Sequence, residues 1–385
     1  MPSPTSRRRF FGQGASALGL LAAVGRRAAG ADADADDVLT TIDAVVGKGA
    51  AFLRPRQGED GGWSTDRHEP GITALVVTAL LRSKGARAGE PVVTRGLAYL
   101  ERFVDPKGGL PGAAHANYST SIALMAFQEA NKDKAALGRY DALIKAGQDF
   151  LKGKQWDEAQ GKGKDSDFYG GAGYGGKNSR PDLSNTAFLM EALRDTGLPA
   201  DDPALRKAMV FVSRCQNLKG EFNDQPWADK VNDGGFVYTA ANGGSSVAGA
   251  EPETNGGLRS YASMTYAGLK SMIHAGLTPD DPRVKAAYDY IRKHYSLDEN
   301  PGLGQTGLFY YYQTFAKAMA LVGKPTLVDS AGHSHDWRAE LVEALAKRQD
   351  ADGSWVNRSD RFMEGDPNLV TSYALLALAY ARPKA

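Results

Sequence analysis

Hydrophobic positions along this chain fall into two alternating kinds of helical run. One kind is apolar on nearly every side. It reads "TALVVTALL" from Thr73, "TAFLMEAL" from Thr186, "TFAKAMAL" from Thr314 and "TSYALLALA" from Thr371, with related runs opening at Thr120 and Thr265. A helix of that composition is covered on all sides. The other kind carries a single apolar stripe and precedes each of the six: "GAAFLRPRQ", "GLAYLERFV", "GQDFLKGKQ", "AMVFVSRCQ", "AYDYIRKHY" and "LVEALAKRQ". A glycine-containing loop joins the two runs in every copy. The threonines lie from 47 to 79 residues apart, a repeat length that means a solenoid or a closed array. An open stack would leave one face of each apolar helix in water, so closure into a ring is expected. The pattern predicts an all-α (α/α)6 toroid over residues 32–385 as one domain, with insertions near 157–182 and 223–260.

The loops repeat as well. Leu53-x3-Gln57-x3-Gly61-x-Trp63 recurs as Leu345-x3-Gln349-x3-Gly353-x-Trp355 and as Val212-x3-Gln216-x3-Gly220-x-Phe222. The expected roles are structural. The glutamine amide satisfies carbonyls at the end of its outer helix, the glycine permits the turn, and the aromatic packs back on the ring. At the glutamine position the other copies carry Val104, Gln155 and Tyr295 and are degenerate. This pattern resembles the "QW" repeat of the squalene cyclase and protein prenyltransferase superfamily, and the resemblance covers about residues 40 to 382.

In such a ring the inner helices run parallel, and their N-termini put partial positive charge around one mouth of a central cavity. The residues before each threonine are therefore the candidate ligand contacts. They are His68, His115, Tyr118, Ser184, Asn185, Tyr261, Tyr310, Gln313 and Asp366, above a wall of Ala, Leu, Phe and Met. The two insertions lead into neighbouring inner helices and are expected to fold over the same mouth. Such a chamber suits an apolar small molecule or lipid with a polar end. The resemblance implies more. Proton-initiated terpene cyclases carry Asp-x-Asp-Asp-Thr-Ala at an inner-helix start, where the middle Asp protonates the substrate. The matching register here is Asp182-Leu183-Ser184-Asn185-Thr186-Ala187. Ser184 stands at the donor position, and its hydroxyl is far too weak an acid for an alkene. Asp182 is the one remaining catalytic candidate, set against the reading that it caps the helix.

Charge and cysteine content narrow the choice further. A net charge of +1 offers no basic field for nucleic acid. Cys215 is the sole cysteine, so no intrachain disulfide forms; it is expected to pack in an outer helix facing away from the mouth. The Asp/Cys/His zinc set of the prenyltransferases is thereby absent. His333-Ser334-His335-Asp336 reads as a loop ending in a cap for a helix from Trp337, and His274 as a hydrogen-bonded core residue. No metal or cofactor is predicted. Three functions are carried: an apolar-ligand-binding, squalene-cyclase-like protein of doubtful cyclase activity; a non-catalytic scaffold of the cell envelope; and a polysaccharide-active toroid using Glu69, Asp182 and Asp366. Peripheral contact with a membrane and the oligomeric state stay open.

Residues 1–31 read as an address. Arg7-Arg8-Arg9-Phe10-Phe11, an apolar stretch from Gly14 to Val24 and Ala29-Gly30-Ala31 follow the order of a twin-arginine export signal. Replacing Arg7 and Arg8 by Lys should hold the precursor in the cytoplasmic fraction on an immunoblot. Undiminished export of that double variant would refute the expectation.

Overall fold

The structure is a computed structural model that describes residues 35–64, 70–113, 115–134, 137–175 and 179–383. The expected export segment, His68 and Glu69 lie outside the described residues. Twelve of the α-helices are the two series that the hydrophobic pattern predicts. The outer series is α1 (Ala35–Leu53), α3 (Pro91–Glu101), α5 (Asp141–Lys152), α7 (Pro203–Arg214), α10 (Pro282–Lys293) and α12 (Trp337–Arg348). The inner series is α2 (Pro70–Arg82), α4 (Ala116–Asn131), α6 (Leu183–Asp195), α9 (Ala262–His274), α11 (Leu308–Val322) and α13 (Pro367–Ala381). A single further turn, α8 (Ala228–Val231), lies in the second insertion. Each inner helix begins a few residues before its threonine. Asp202 and Asp281 cap α7 and α10 ahead of a proline at the first helical position. Asp336 caps α12 through the amides of Arg338 and Ala339, as the sequence suggests.

The inner helices contact one another in the order α2, α4, α6, α9, α11, α13 and back to α2, so the ring is closed. Outer helices fill the grooves between them, and α1 packs on both α12 and α13, bringing the first repeat against the last. The result is an (α/α)6 toroid.

A lock at four of the six loops joins one repeat to the next. The amide of Gln57 donates to Gly61 in its own turn and to Val92 of α3, both at 2.9 Å. Gln155 does the same to Gly170 and to Ala204 of α7. Gln216 donates to Gly234 and to Arg283 of α10, and Gln349 to Gly353 and to Val45 of α1. The glutamines therefore bridge to the following outer helix instead of serving carbonyls of their own, which corrects the expected role. The last bond closes the circle. Two residues beyond the turn glycine, a backbone amide donates to the repeat's threonine: Trp63 to Thr73, Leu110 to Thr120, Ala172 to Thr186, Phe236 to Thr265 and Trp355 to Thr371. That is the physical reason for a threonine at the aligned position.

Two further readings change. Phe222 is 41% exposed, with the Arg283 guanidinium stacked on its ring, so it is not the packed aromatic of its repeat. Gly234 and the fully buried Phe236 hold those places, because a long loop separates Gln216 from its turn glycine. Copy three likewise keeps a working glutamine, Gln155, whose glycine lies within the first insertion at Gly170.

Gly234 adopts φ +80°, and a Cβ there would come within 2.4 Å of the Ala286 carbonyl oxygen on α10. Gly220 has open space where a Cβ would go. Gly234→Ala should therefore lower unfolding stability by more than about 1 kcal/mol, whereas Gly220→Ala should stay within about 0.5 kcal/mol of wild type. Urea denaturation distinguishes them; equal effects would sink this register.

Candidate ligand cavity at the ring mouth

The N-terminal turns of all six inner helices border one cavity of about 540 Å³. Ile72 and Leu75 come from α2, Tyr118 and Ile122 from α4, Ser184 from α6, Met264 from α9, Tyr310 from α11, and Leu369 and Tyr373 from α13. Both insertions reach over it, with Tyr174 from the first and Tyr238 and Val247 from the second. They are tied down at the start of α6, where Leu183 donates to the Tyr238 carbonyl (2.8 Å) and Asp182 to that of Ala172 (3.0 Å). Two segments that the sequence reading did not place at the mouth also close it. Asn300 and Leu303 come from the loop before α11, and Phe362 and Met363 from the loop before α13. Phe362 and Met363 hold φ of +63° and +64°, a left-handed backbone that side chains of this size rarely adopt. Glu364 pins that strap. It is fully buried, accepts the Tyr310 amide at 2.7 Å and takes the Asn357 side-chain amide at 2.6 Å.

Of the candidate mouth residues, His115, Tyr118, Ser184, Tyr261 and Tyr310 border the cavity. Asn185 and Gln313 are buried behind its wall, and Asp366 spends its carboxylate on the amides of Asn368 and Leu369 as the cap of α13. None of those three borders it. Asp182 also stands behind the wall. Its Oδ1 accepts the Asn185 backbone amide and its Oδ2 the Asn185 side-chain amide, both at 2.8 Å. Burial pushes this carboxyl up to about 6, against the opposing pull of the hydrogen bonds from Asn185 and Tyr238. Asp182 is thus the N-cap of α6. Cys215 is completely buried at the end of α7. It does not border the cavity, and burial pushes its thiol up.

Behind the lining the phenyl ring of Phe188 packs 4.5 Å from the Tyr118 ring and 6.4 Å from that of Tyr310. Beneath it Lys270 lies 5.3 Å from the same ring and pairs with Glu191 at 2.5 Å. A buried charge cluster then closes the ring at the C-terminal ends of the inner helices. Arg82 bonds Glu129 and Asp195, each at 2.7 Å, and also Tyr380. Lys317 reaches Asp195 and Glu191 at 3.2 and 3.4 Å. Burial alone would raise the Glu191 carboxyl, yet Lys270, Lys317 and Arg82 hold it well below the usual range. His274 borders this cluster; burial pushes it down to about 3, so it is neutral, and its Nε2 lacks the hydrogen bond expected of it.

The inner helices are therefore not apolar all round. On α6 the axial stripe is Ser184, Phe188, Glu191 and Asp195; on α4 it is Tyr118, Ile122 and Glu129; on α13 it is Leu369, Tyr373 and Tyr380. A signal for the cluster was present in the sequence. The residue nine places after the threonine is Arg82, Glu129, Asp195, His274 or Tyr380 in five of the six copies.

Comparison with known proteins bears on this architecture. The chain matches no protein-family model. It is 25% identical over 194 residues to the squalene–hopene cyclase of Zymomonas mobilis, a match that spans 48% of this chain and 29% of that enzyme. The chain thus aligns with under a third of the cyclase's length. Its fold superposes on a variant of the type II terpene cyclase MstE from Scytonema, solved with geranylgeranyl dihydroxybenzoate, with a TM-score of 0.53 at 13% identity over 90% of this chain and 99% of that one. A family 76 glycoside hydrolase from a bovine Bacteroides thetaiotaomicron strain shares the toroid as well, with a TM-score of 0.52 at 13% identity over 90% of this chain and 78% of that one. The likeness to squalene–hopene cyclase over half the chain, on a toroid shared with type II terpene cyclases, places this protein in a squalene-cyclase-like superfamily.

Proposed function

We propose that this protein binds an apolar, isoprenoid-class molecule in the mouth cavity and does not start a cyclisation from the position where cyclases carry their acid. The observation that carries this reading is the chemistry of the wall. Apart from the His115 imidazole and the Asn300 amide it is aliphatic, thioether, aromatic and hydroxylic, and among the described residues no carboxylate, lysine or arginine borders it. A type II cyclase needs a strong carboxylic acid aimed at the substrate; here Ser184 occupies that place, with its hydroxyl 3.0 Å from that of Tyr310. The glycosidase reading would need two carboxylates flanking the ligand; of its three candidate acids Asp182 and Asp366 are committed to helix capping, which leaves Glu69, outside the described residues, without a second. The MstE neighbour's apolar prenyl substrate supports the ligand class by analogy of fold. The export signal read at residues 1–31 would put this binding outside the cytoplasm.

Two tests follow. Protein recovered from membranes should carry an isoprenoid-sized lipid in native mass spectrometry, and Leu369→Trp, which fills the cavity, should lose it or bind it at least tenfold more weakly. Incubation with squalene should give no cyclised product. A hopene-like product from wild type would overturn the proposal, as would a lipid-free protein whose cavity variant behaves identically.

The capping role of Asp182 has its own signature. The folded state holds this proton up to about pH 6, while an unfolded aspartate releases it near 3.9. Stability from this group is therefore greatest below about pH 4, falls as the pH rises towards 6 and is level above that. Asp182→Asn keeps a cap and has no such proton. Its stability relative to wild type should improve by about 2–3 kcal/mol between pH 4 and pH 7, with ligand binding unchanged. A difference that stays constant with pH would show that the carboxyl is ionised throughout.

A further inference from the structure

The wall of the cavity holds two hydroxyl pairs contributed by four different inner helices. Tyr118 and Tyr373 place their phenol oxygens 3.0 Å apart, and Ser184 and Tyr310 place theirs at the same separation. The two pairs adjoin, since the Tyr310 and Tyr373 rings stand edge to face with centroids 6.0 Å apart, and all four residues border the cavity. In a pair of hydroxyls one proton is spent within the pair, which leaves the other for a third acceptor; the Tyr310 phenol also meets the Thr314 hydroxyl, so in its pair the free proton is the one on Ser184 when Tyr310 donates to it. Asn300 makes a contrast, because its side-chain amide already donates to Ser263 and to the Thr306 carbonyl. Burial raises the Tyr118, Tyr310 and Tyr373 phenols, so they remain protonated donors at physiological pH.

Two remaining protons on adjoining pairs, in a largely apolar wall, match one acceptor with two lone pairs. A carbonyl oxygen has two, lying in the plane of its substituents. Among the described lining residues an anionic head would find no counter-charge but the His115 imidazole, with no lysine or arginine beside it. We infer that the hydroxyls of Tyr118, Tyr373, Ser184 and Tyr310 form a receptor for a single carbonyl oxygen, so that the ligand is an uncharged isoprenoid ketone or aldehyde bound carbonyl-first. Its tail then runs outward past Leu303 towards Phe362 and Met363. This inference rests on the apolar-ligand reading above and adds the identity and direction of the head group.

The test uses the whole protein and two probes, geranylgeranylacetone as a polyprenyl ketone and squalene as a polyprenyl hydrocarbon, with binding read from quenching of intrinsic fluorescence. Wild type should bind the ketone at least tenfold more tightly than the hydrocarbon. Tyr118→Phe with Tyr373→Phe, which removes one pair and keeps both rings, should erase most of that preference by weakening the ketone far more than squalene. Ser184→Ala with Tyr310→Phe should do the same from the other side. If both probes bind alike to wild type, or if the Phe variants weaken both equally, the carbonyl receptor falls while the apolar site stands. If neither probe binds, the apolar-ligand reading falls and takes the receptor with it.

Discussion

The structure depends on one side-chain amide used four times. In repeats one, three, four and six, a glutamine at the end of an outer helix donates to its own turn and to the next outer helix. Hydrophobic burial alone would hold helices together without fixing how many make a turn of the ring. The glutamine is directional and spans adjacent repeats, and the Gln349 bond to Val45 joins the last to the first. The turn glycine belongs to the same device. At Gly353, φ is +91° and the backbone packs so closely on α1 that a Cβ would lie 2.4 Å from the Lys48 carbonyl oxygen. With the ring closed, every inner helix is covered on its flanks by inner neighbours and on its outside by an outer helix. Only the axial face is left for function.

That axial face is used differently along its length. At the N-terminal ends it is a hydroxyl- and aromatic-rimmed cavity, and at the C-terminal ends a neutral cluster of three cations and three carboxylates. The arrangement suits the helices. Cations at the closed end meet the negative ends of the inner-helix dipoles, and pairing offsets the high cost of taking each charge out of water. Phe188 separates the two regions. A cluster that knits α2, α4, α6, α9, α11 and α13 together makes the base rigid, and motion at the mouth is then confined to the loops. The strap through Phe362 and Met363, held in a strained backbone by Glu364, is the part of the mouth most dependent on its surroundings.

The six-fold repeat, the two helix series and their order were legible in the amino-acid sequence, because a helix that is apolar on most sides has one solution, enclosure by others like it. The caps at Asp182 and Asp336 were legible for the same kind of reason, since an aspartate before a helix meets amides that have no other partner; Asp366, read as a mouth residue, proved to be a third. The change of Asp to Ser at position 184 also stood in the sequence, and it bears on chemistry wherever the side chain lies.

Tertiary structure alone decided the rest. Local spacing assigned Gly220 and Phe222 to the fourth repeat, but a loop of any length can lie between a glutamine and its glycine, and only the approach of α10 selects Gly234 and Phe236. Spacing likewise put Asn185 and Gln313 with the mouth residues, yet a helix turns about 100° per residue, so one position separates a side chain in the cavity from one behind its wall. Nor could sequence bring Tyr118 to Tyr373, or Ser184 to Tyr310. Those pairs join residues 255 and 126 positions apart, and they exist because ring closure sets the helix starts around one axis.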